Sequence, residues 1–342
     1  MPNYYYPCIF LICSAILCVN LSFAQESNQH RHHIFEDHEL LKVKFEVDIG
    51  AILADRGDKP EYHEGTFSYK DDHLGKIKLN VKARARGNFR RNPHNCVFPP
   101  LHIKFNKKEV APTIFHDNKK LKLVTHCQEE ESIIREYLIY CSLNLFTPFS
   151  FKARLVRVTY KDIKNQYPSE VWYAFFIEDA EDVAARNGGS NISEEKHDSE
   201  LIDQEMLALM HFFHAMIGNL DWDISLAKNL KFIEFEDNRR PIALPYDFDW
   251  SAAVGASYTQ MEQDDYEQRR YRPFCNPEVD LQHLVDLFKQ KKEALFSLYR
   301  NCPYLSKKES LRMLEYVQTF YEEMEKADFI EEKFLKACGG RK

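Results

Sequence analysis

No CxxC pair occurs anywhere in the 342 residues, which argues against a zinc ribbon or a similar cysteine cage. No GxGxxG run occurs either, so any phosphate-holding turn must be built from other residues. Positive charge is not in excess. Lys and Arg number 46 against 53 Asp and Glu, a formal net charge of -7. That balance argues against a general nucleic-acid binder, though it leaves room for a local basic groove. Beyond residue 23 no stretch is long and apolar enough to span a bilayer. His211 and His214 stand three apart without a third ligand and read as structural, and His126 is no better placed for a metal centre.

What is present is an ordinary globular composition, 44% hydrophobic and 29% charged, enough for one large domain or two modest ones. Residues 4–23 are apolar and Ser22-Phe23-Ala24 supplies small residues at the two positions a signal peptidase reads. Residues 1–24 are therefore expected to be a cleaved secretory signal, with an uncleaved anchor as the alternative because the first residues carry no Lys or Arg. The mature protein is then expected outside the cytoplasm: periplasmic, secreted or at the cell surface. Residues 25–40, with His30, His32, His33 and His38, read as a polar linker.

Six cysteines follow the signal, an even number that suits an oxidising compartment. Cys96 with Cys127 is the first expected disulfide and Cys275 with Cys302 the second, while Cys141 in an apolar helix is expected to be a buried free thiol.

Residues 41–178 are expected to form a β-rich lobe with one helix. Leu41–Leu53 alternates as a half-buried strand does, and strands are predicted over His63–Tyr69, Lys76–Arg86, Leu101–Phe105, Leu121–Thr125, Phe151–Tyr160 and Val171–Ile177. The third of these runs into Arg86-Gly87-Asn88-Phe89-Arg90-Arg91. Gly87 permits close backbone approach there and the arginines suit phosphate; an exposed basic edge strand is the plain alternative. Lys104 and Lys122 each face away from their apolar neighbours. Helix 128–145 opens on acidic residues, and its Glu136 either pairs with a functional lysine or lies exposed.

Residues 179–342 read as mainly helical. A polar stretch, 179–199, is followed by a buried helix over Leu201–Ile217, whose methionines are core residues. Amphipathic helices are expected near 277–300 and 306–337. Between them lies the most informative stretch, Ile217–Trp250. Gly218-Asn219 stops a helix, Asp221 and Asp223 follow, and two strand-like runs, Asn229–Phe235 and Pro241–Tyr246, end in Asp247-Phe248-Asp249. A hairpin would return Asn229 and the Asp247/Asp249 pair to the loop of Asp221. Carboxylates and an amide gathered in this way suit a hard cation and its phosphate ligands.

In order, Arg86-Gly87-Asn88 after a strand, Lys104 on the next, Tyr173–Glu178 as a strand running into a helix, Gly218-Asn219-Leu220-Asp221 with Asn229, and Tyr246-Asp247-Phe248-Asp249 resemble the CotH-like atypical protein kinases, across roughly residues 75–255. The resemblance implies an α+β, two-lobed protein-kinase-like fold with a β-rich N-terminal lobe and a mainly helical C-terminal lobe. It implies ATP as co-substrate, with Mg²⁺ or Mn²⁺. Arg86, Gly87 and Asn88 would cover the nucleotide phosphates and Lys104 or Lys122 would contact them, with Glu136 holding that lysine and Glu178 near the connection between lobes. Asp221 would orient the acceptor hydroxyl or act as base, Asn229 and Asp247 would ligate the metal, and Asp223 and Asp249 would be substitutes for Asp221 and Asp247. Asp221 stands eight residues and Asp223 six before Asn229, against about five in typical kinases, so both stay candidates.

The function expected from all this is exported, metal-dependent phosphoryl transfer from a nucleotide to a protein hydroxyl. The alternatives are a catalytically inactive binding module at the cell surface and a metal-dependent phosphoesterase.

Overall fold

Strand β1 (Leu41–Val47) shows how the architecture arises. Its alternate residues Leu41, Val43, Phe45 and Val47 are buried while the others face outward, so one face must find a core. That core is the interior of a barrel. The computed structural model describes residues 33–259 and 269–340. In it β1 joins β2 (His63–Asp71), β3 (Gly75–Ala85), β4 (Leu101–Phe105), β5 (Lys120–Val124), β6 (Ala153–Asp162) and β7 (Glu170–Ile177) in a closed barrel of order β1-β2-β3-β4-β5-β7-β6. The pairs are antiparallel except β1 with β6, whose parallel register runs from Leu41 opposite Val156 to Val47 opposite Asp162. Asp162 then accepts a hydrogen bond from the Ile49 amide at 3.1 Å, tying the seam to the following turn.

Aromatic residues fill the barrel. Phe45 stacks on Phe67 at 4.6 Å between centroids and Phe105 on Phe115 at 4.9 Å, with Phe176 beside them. Each buried ring is worth roughly 1.5–3 kcal/mol of transfer free energy.

A second core lies outside the barrel. Helix α3 (Glu131–Leu143) packs on β6 and β7, and α5 (Gln204–Ile217), α6 (Leu281–Arg300) and α7 (Lys307–Met324) close around it. The helix starts are written locally: Asp203 accepts from the Met206 amide at 2.8 Å, and Asp280 and Ser306 cap α6 and α7 in the same way. Gly218 ends α5 at φ 66°, where a Cβ would stand 2.9 Å from Ala252 Cβ. A small antiparallel sheet, β8 (Asn191–Ser193), β9 (Leu230–Glu234) and β10 (Ile242–Pro245), completes the second part.

The expected two-lobed protein-kinase-like fold with a mainly helical C-terminal lobe does not form. The β-rich part is a closed seven-stranded barrel, and the part that follows mixes helices with a sheet of its own. Closure depends on β1 meeting β6, more than a hundred residues away, and nothing in the alternation of either strand names its partner. Closure also removes the edge that the basic residues of β3 were expected to protect.

Smaller corrections follow the same logic. Leu41–Leu53 is not one strand, because Asp48 caps a short helix α1 (Ile49–Ala54) by accepting from Ala51 N at 2.9 Å. Two other short helices form: α2 (Lys107–Val110) stands where only a turn was expected, and α4 (Ala180–Arg186) is a helix directly after the Tyr173–Glu178 strand, within the polar stretch 179–199. Residues 33–40 are packed rather than a free linker: Ile34 and Phe35 are buried, and Arg154 holds Asp37 at 2.6 Å. His30 and His32, like the expected signal at 1–24, lie outside the described residues. Cys96 and Cys127 are bonded as expected, but Cys275 pairs with Cys338, leaving Cys302 free beside the buried Cys141. No helix among the described residues is long and apolar enough to cross a membrane.

Candidate functional site

The hairpin of β9 and β10 brings the acidic stretch together. Leu230 pairs with Pro245, and the Tyr246 amide donates to the Asn229 carbonyl at 3.1 Å, so Asp247 leaves the sheet beside Asn229. Asn229 in turn donates through Nδ2 to the Asp221 carbonyl at 2.6 Å and to its Oδ2 at 2.8 Å. Those bonds fix the amide with Oδ1 left over as an acceptor. Lys228 holds the other oxygen of Asp221. Asn229 and Asp247 both have left-handed backbone, at φ 55° and 64°, a conformation that non-glycine residues keep only when their surroundings impose it. At Asp247 the restraint is visible, since its amide donates to Tyr140 Oη at 2.9 Å.

Asp223 is placed differently. Its Oδ1 accepts from Ser225 Oγ at 2.7 Å and from the Leu226 amide at 3.0 Å, the chemistry of a turn. These hydrogen bonds, Ser225 first, hold its carboxyl below the usual range. Arg272 grips the same loop, donating to the carbonyls of Trp222 and Leu220, both at 2.8 Å, with its guanidinium over the Trp222 ring at 4.6 Å.

The opposite wall is the outer face of the barrel. Arg86 follows β3, pinned by its amide to the Pro100 carbonyl at 2.9 Å, and Gly87 turns the chain at φ 82° with open space where a Cβ would be. Lys122 on β5 points outward, 5.7 Å from the Tyr246 ring and 5.9 Å from Phe151. Burial first, then Arg86 and Lys231, push its ammonium down to about 8. Burial lowers Arg86 too, against the pull of Asp247. Among the described residues the side chains of Arg86, Lys122 and Asp247 form no hydrogen bond or ion pair, although each is at most half exposed. Asn88 is exposed, and Lys104 lies on the outer face 5.8 Å from Tyr62, one register row away from Lys122.

Several of the expected residues have other partners. Glu136 does not hold a lysine; its Oε2 is 3.3 Å from Arg90 Nη1, and both side chains are buried. Arg90 therefore serves an internal network and not a phosphate, and Arg91 is tied to the Gly57 carbonyl and Asp58. Asp249 is buried as well, accepting from Tyr258 Oη at 2.9 Å with Arg90 at 4.0 Å. Burial and the neighbouring Asp247 raise its carboxyl to about 7. Glu178 pairs with Arg186 at 2.9 Å and accepts from the Lys152 amide at 2.8 Å, a tie within the scaffold.

Sequence reasoning missed Lys228, Arg272, Tyr140 and Tyr246. Lys228 and Tyr246 sit next to singled-out residues and could have been suspected from that; Arg272 and Tyr140 are brought in only by folding. Among the described residues no group of three or more His, Cys, Asp or Glu is placed to hold a metal ion. A Mg²⁺ site resting on Asn229 Oδ1 and the Asp247 carboxylate still fits, since that ion keeps waters and substrate phosphates as most of its ligands.

No protein-family model matches the sequence, and no curated protein matches it. Among solved structures, the crystal structure of a Helicobacter pylori proinflammatory kinase, CtkA, aligns with 70% of this chain and 88% of its own, at 11% identity and a TM-score of 0.35. A likeness that slight does not establish a shared fold, and nothing in it supports the CotH-like family in particular.

Proposed function

We propose that the protein binds the phosphates of a nucleotide between Arg86 and Lys122 on the barrel and the Asp221–Asn229–Asp247 loops, and transfers a phosphoryl group to a protein hydroxyl. One observation carries this reading: two cations and a carboxylate converge, partly desolvated, with no side-chain hydrogen bond or ion pair among the described residues. Leaving charges in that state is costly unless a ligand completes them. A metal-bound polyphosphate would do so: Arg86 and Lys122 would hold its phosphates, and Asn229 and Asp247 would hold its metal. The metal, Mg²⁺ or Mn²⁺, would neutralise charge on the transferred group.

The chain's own residues supply the rest. Asp221, oriented by Asn229 and Lys228, would accept the proton of the acceptor hydroxyl. Lys122 takes the phosphate-contacting role over Lys104 because it is the half-buried lysine beside Tyr246. The phosphoesterase alternative has less support, since it calls for a denser ligand set than these residues make.

The test is a thermal shift of the protein with ATP, with and without Mg²⁺ or Mn²⁺, alongside Asp247→Ala. A ligand that binds only the folded state must raise the melting temperature in a concentration-dependent way. A metal-dependent rise that Asp247→Ala abolishes is the expected result. No rise with any nucleotide in folded protein would overturn the reading. A rise without transfer of the terminal phosphate to any protein would favour the inactive binding module.

A further inference from the structure

The outer face of β3, β4 and β5 carries two consecutive rows of basic residues. Lys82 pairs in register with Lys104, and Lys104 with Lys120; one step along, Arg84 pairs with His102, and His102 with Lys122. Directly opposed side chains share a face, so these six project on one side of three adjacent strands. Like charges placed opposite one another, as in the row Lys82–Lys104–Lys120, destabilise a sheet. These strands lie within a closed barrel, so protection of an exposed edge does not explain them. Nor does general basicity, in a chain of net charge -7.

Local neutralisation is slight. Lys82 meets Glu64 at 3.2 Å and Lys120 meets Asp179 at 3.7 Å, both lysine side chains remaining more than half exposed, where such pairs contribute little. The field is strong enough to be felt within the patch. His102 is held down to about 3, by burial first and then by Arg86, Lys122, Arg84 and Lys120.

The inner row, Arg84–His102–Lys122, adjoins the proposed phosphate site through Lys122. The outer row, Lys82–Lys104–Lys120, is one step further and open to solvent. With strands about 4.8 Å apart and same-face residues about 7 Å apart, the patch measures about 10 by 7 Å. That holds two or three carboxylates, and alternate side chains of an extended peptide repeat at the same spacing. A nucleic acid would need a longer basic track on a surface that is otherwise net acidic.

We propose that this face docks an acidic segment of the acceptor protein next to its reacting hydroxyl, which rests on the phosphotransfer reading above. The experiment is fluorescence anisotropy of a labelled decapeptide, one serine among glutamates, titrated with the full chain, beside the Lys82→Gln/Lys120→Gln variant. The peptide is expected to bind at low salt and to weaken as salt rises. It should bind the variant about tenfold more weakly, in keeping with two lost charge contacts, while the nucleotide-dependent thermal shift persists. A glutamine-for-glutamate peptide should not bind. Equal binding by the variant, or a nucleotide shift without peptide binding, would overturn the docking face alone. Tighter binding of a labelled oligodeoxythymidine would overturn the peptide as occupant. Peptide binding without any nucleotide shift would overturn the acceptor role together with phosphotransfer.

Discussion

Arg90 is the residue whose loss should be felt most. It lies buried between Glu136, at 3.3 Å, and Asp249, at 4.0 Å, and it donates through Nη2 to the Thr125 carbonyl at 2.5 Å. In Arg90→Met the volume is kept, but Glu136 and Asp249 lose the cation that stands beside both of them. Removing one partner of a buried ion pair typically costs about 3–5 kcal/mol, roughly 5–15 °C in melting temperature for a protein of this size.

The pH dependence identifies the cause. Burial raises Glu136 well above the ordinary glutamate range, and burial and Asp247 raise Asp249 to about 7 from 3.8. A carboxyl raised in the folded state contributes stability at low pH that is lost as pH rises through its folded value. Without Arg90 both carboxyls rise further, so the deficit should be largest at pH 8 and shrink towards pH 5. Adding Glu136→Gln should restore part of it at pH 8. Urea unfolding of the disulfide-intact proteins at both pH values measures this. A loss below about 1 kcal/mol at pH 8, or one independent of pH, would refute the assignment of these three side chains to one electrostatic unit.

Four other outcomes are expected. Lys122, lowered to about 8, must be protonated to hold a phosphate, so nucleotide affinity should fall as pH rises above about 8, and Lys122→Met should remove that dependence; isothermal titration at pH 7 and 9 checks it. The folded state binds fewer protons than the unfolded one between about 8 and 10.5, so this lysine should also make folding stability rise with pH across that window. Arg272→Ala and Arg272→Lys should both lower the phosphotransfer rate by about ten- to hundredfold with little change in nucleotide affinity, because only the guanidinium fork reaches the Leu220 and Trp222 carbonyls together. Gly218→Ala should cost about 2–5 kcal/mol, combining a left-handed backbone with overlap against Tyr316 and Ala252, whereas Gly87→Ala, with open space around it, should cost about 1–2 kcal/mol; melting temperatures distinguish them.

The candidate site was partly legible in the chain. Asp221, Asn229 and Asp247 were visible because turn residues flank two short apolar runs, and a hairpin of those runs necessarily returns its ends to one place. The choice between neighbours was not visible. Asp221 and Asp223 differ only in what the fold offers them, Asn229 and Lys228 for one and a Ser225 turn for the other. Glu136 offered a carboxylate on a helix face, but only packing decided that an arginine and not a lysine would meet it.

By itself the sequence determined the long strands and helices, because periodicities of two and 3.6 and the capping residues Asp203, Gly218, Asp280 and Ser306 act over a few residues, while short helices such as α1 escaped it. It also suggested that Cys96 and Cys127, flanking a strand pair, would meet, as they do. Tertiary structure alone decided that the strands close into a barrel through β1 and β6, and that Cys275 reaches Cys338. It alone decided that the basic residues of three strands align in rows. Those outcomes depend on which distant surfaces bury one another, and no local pattern encodes a partner more than a hundred residues away.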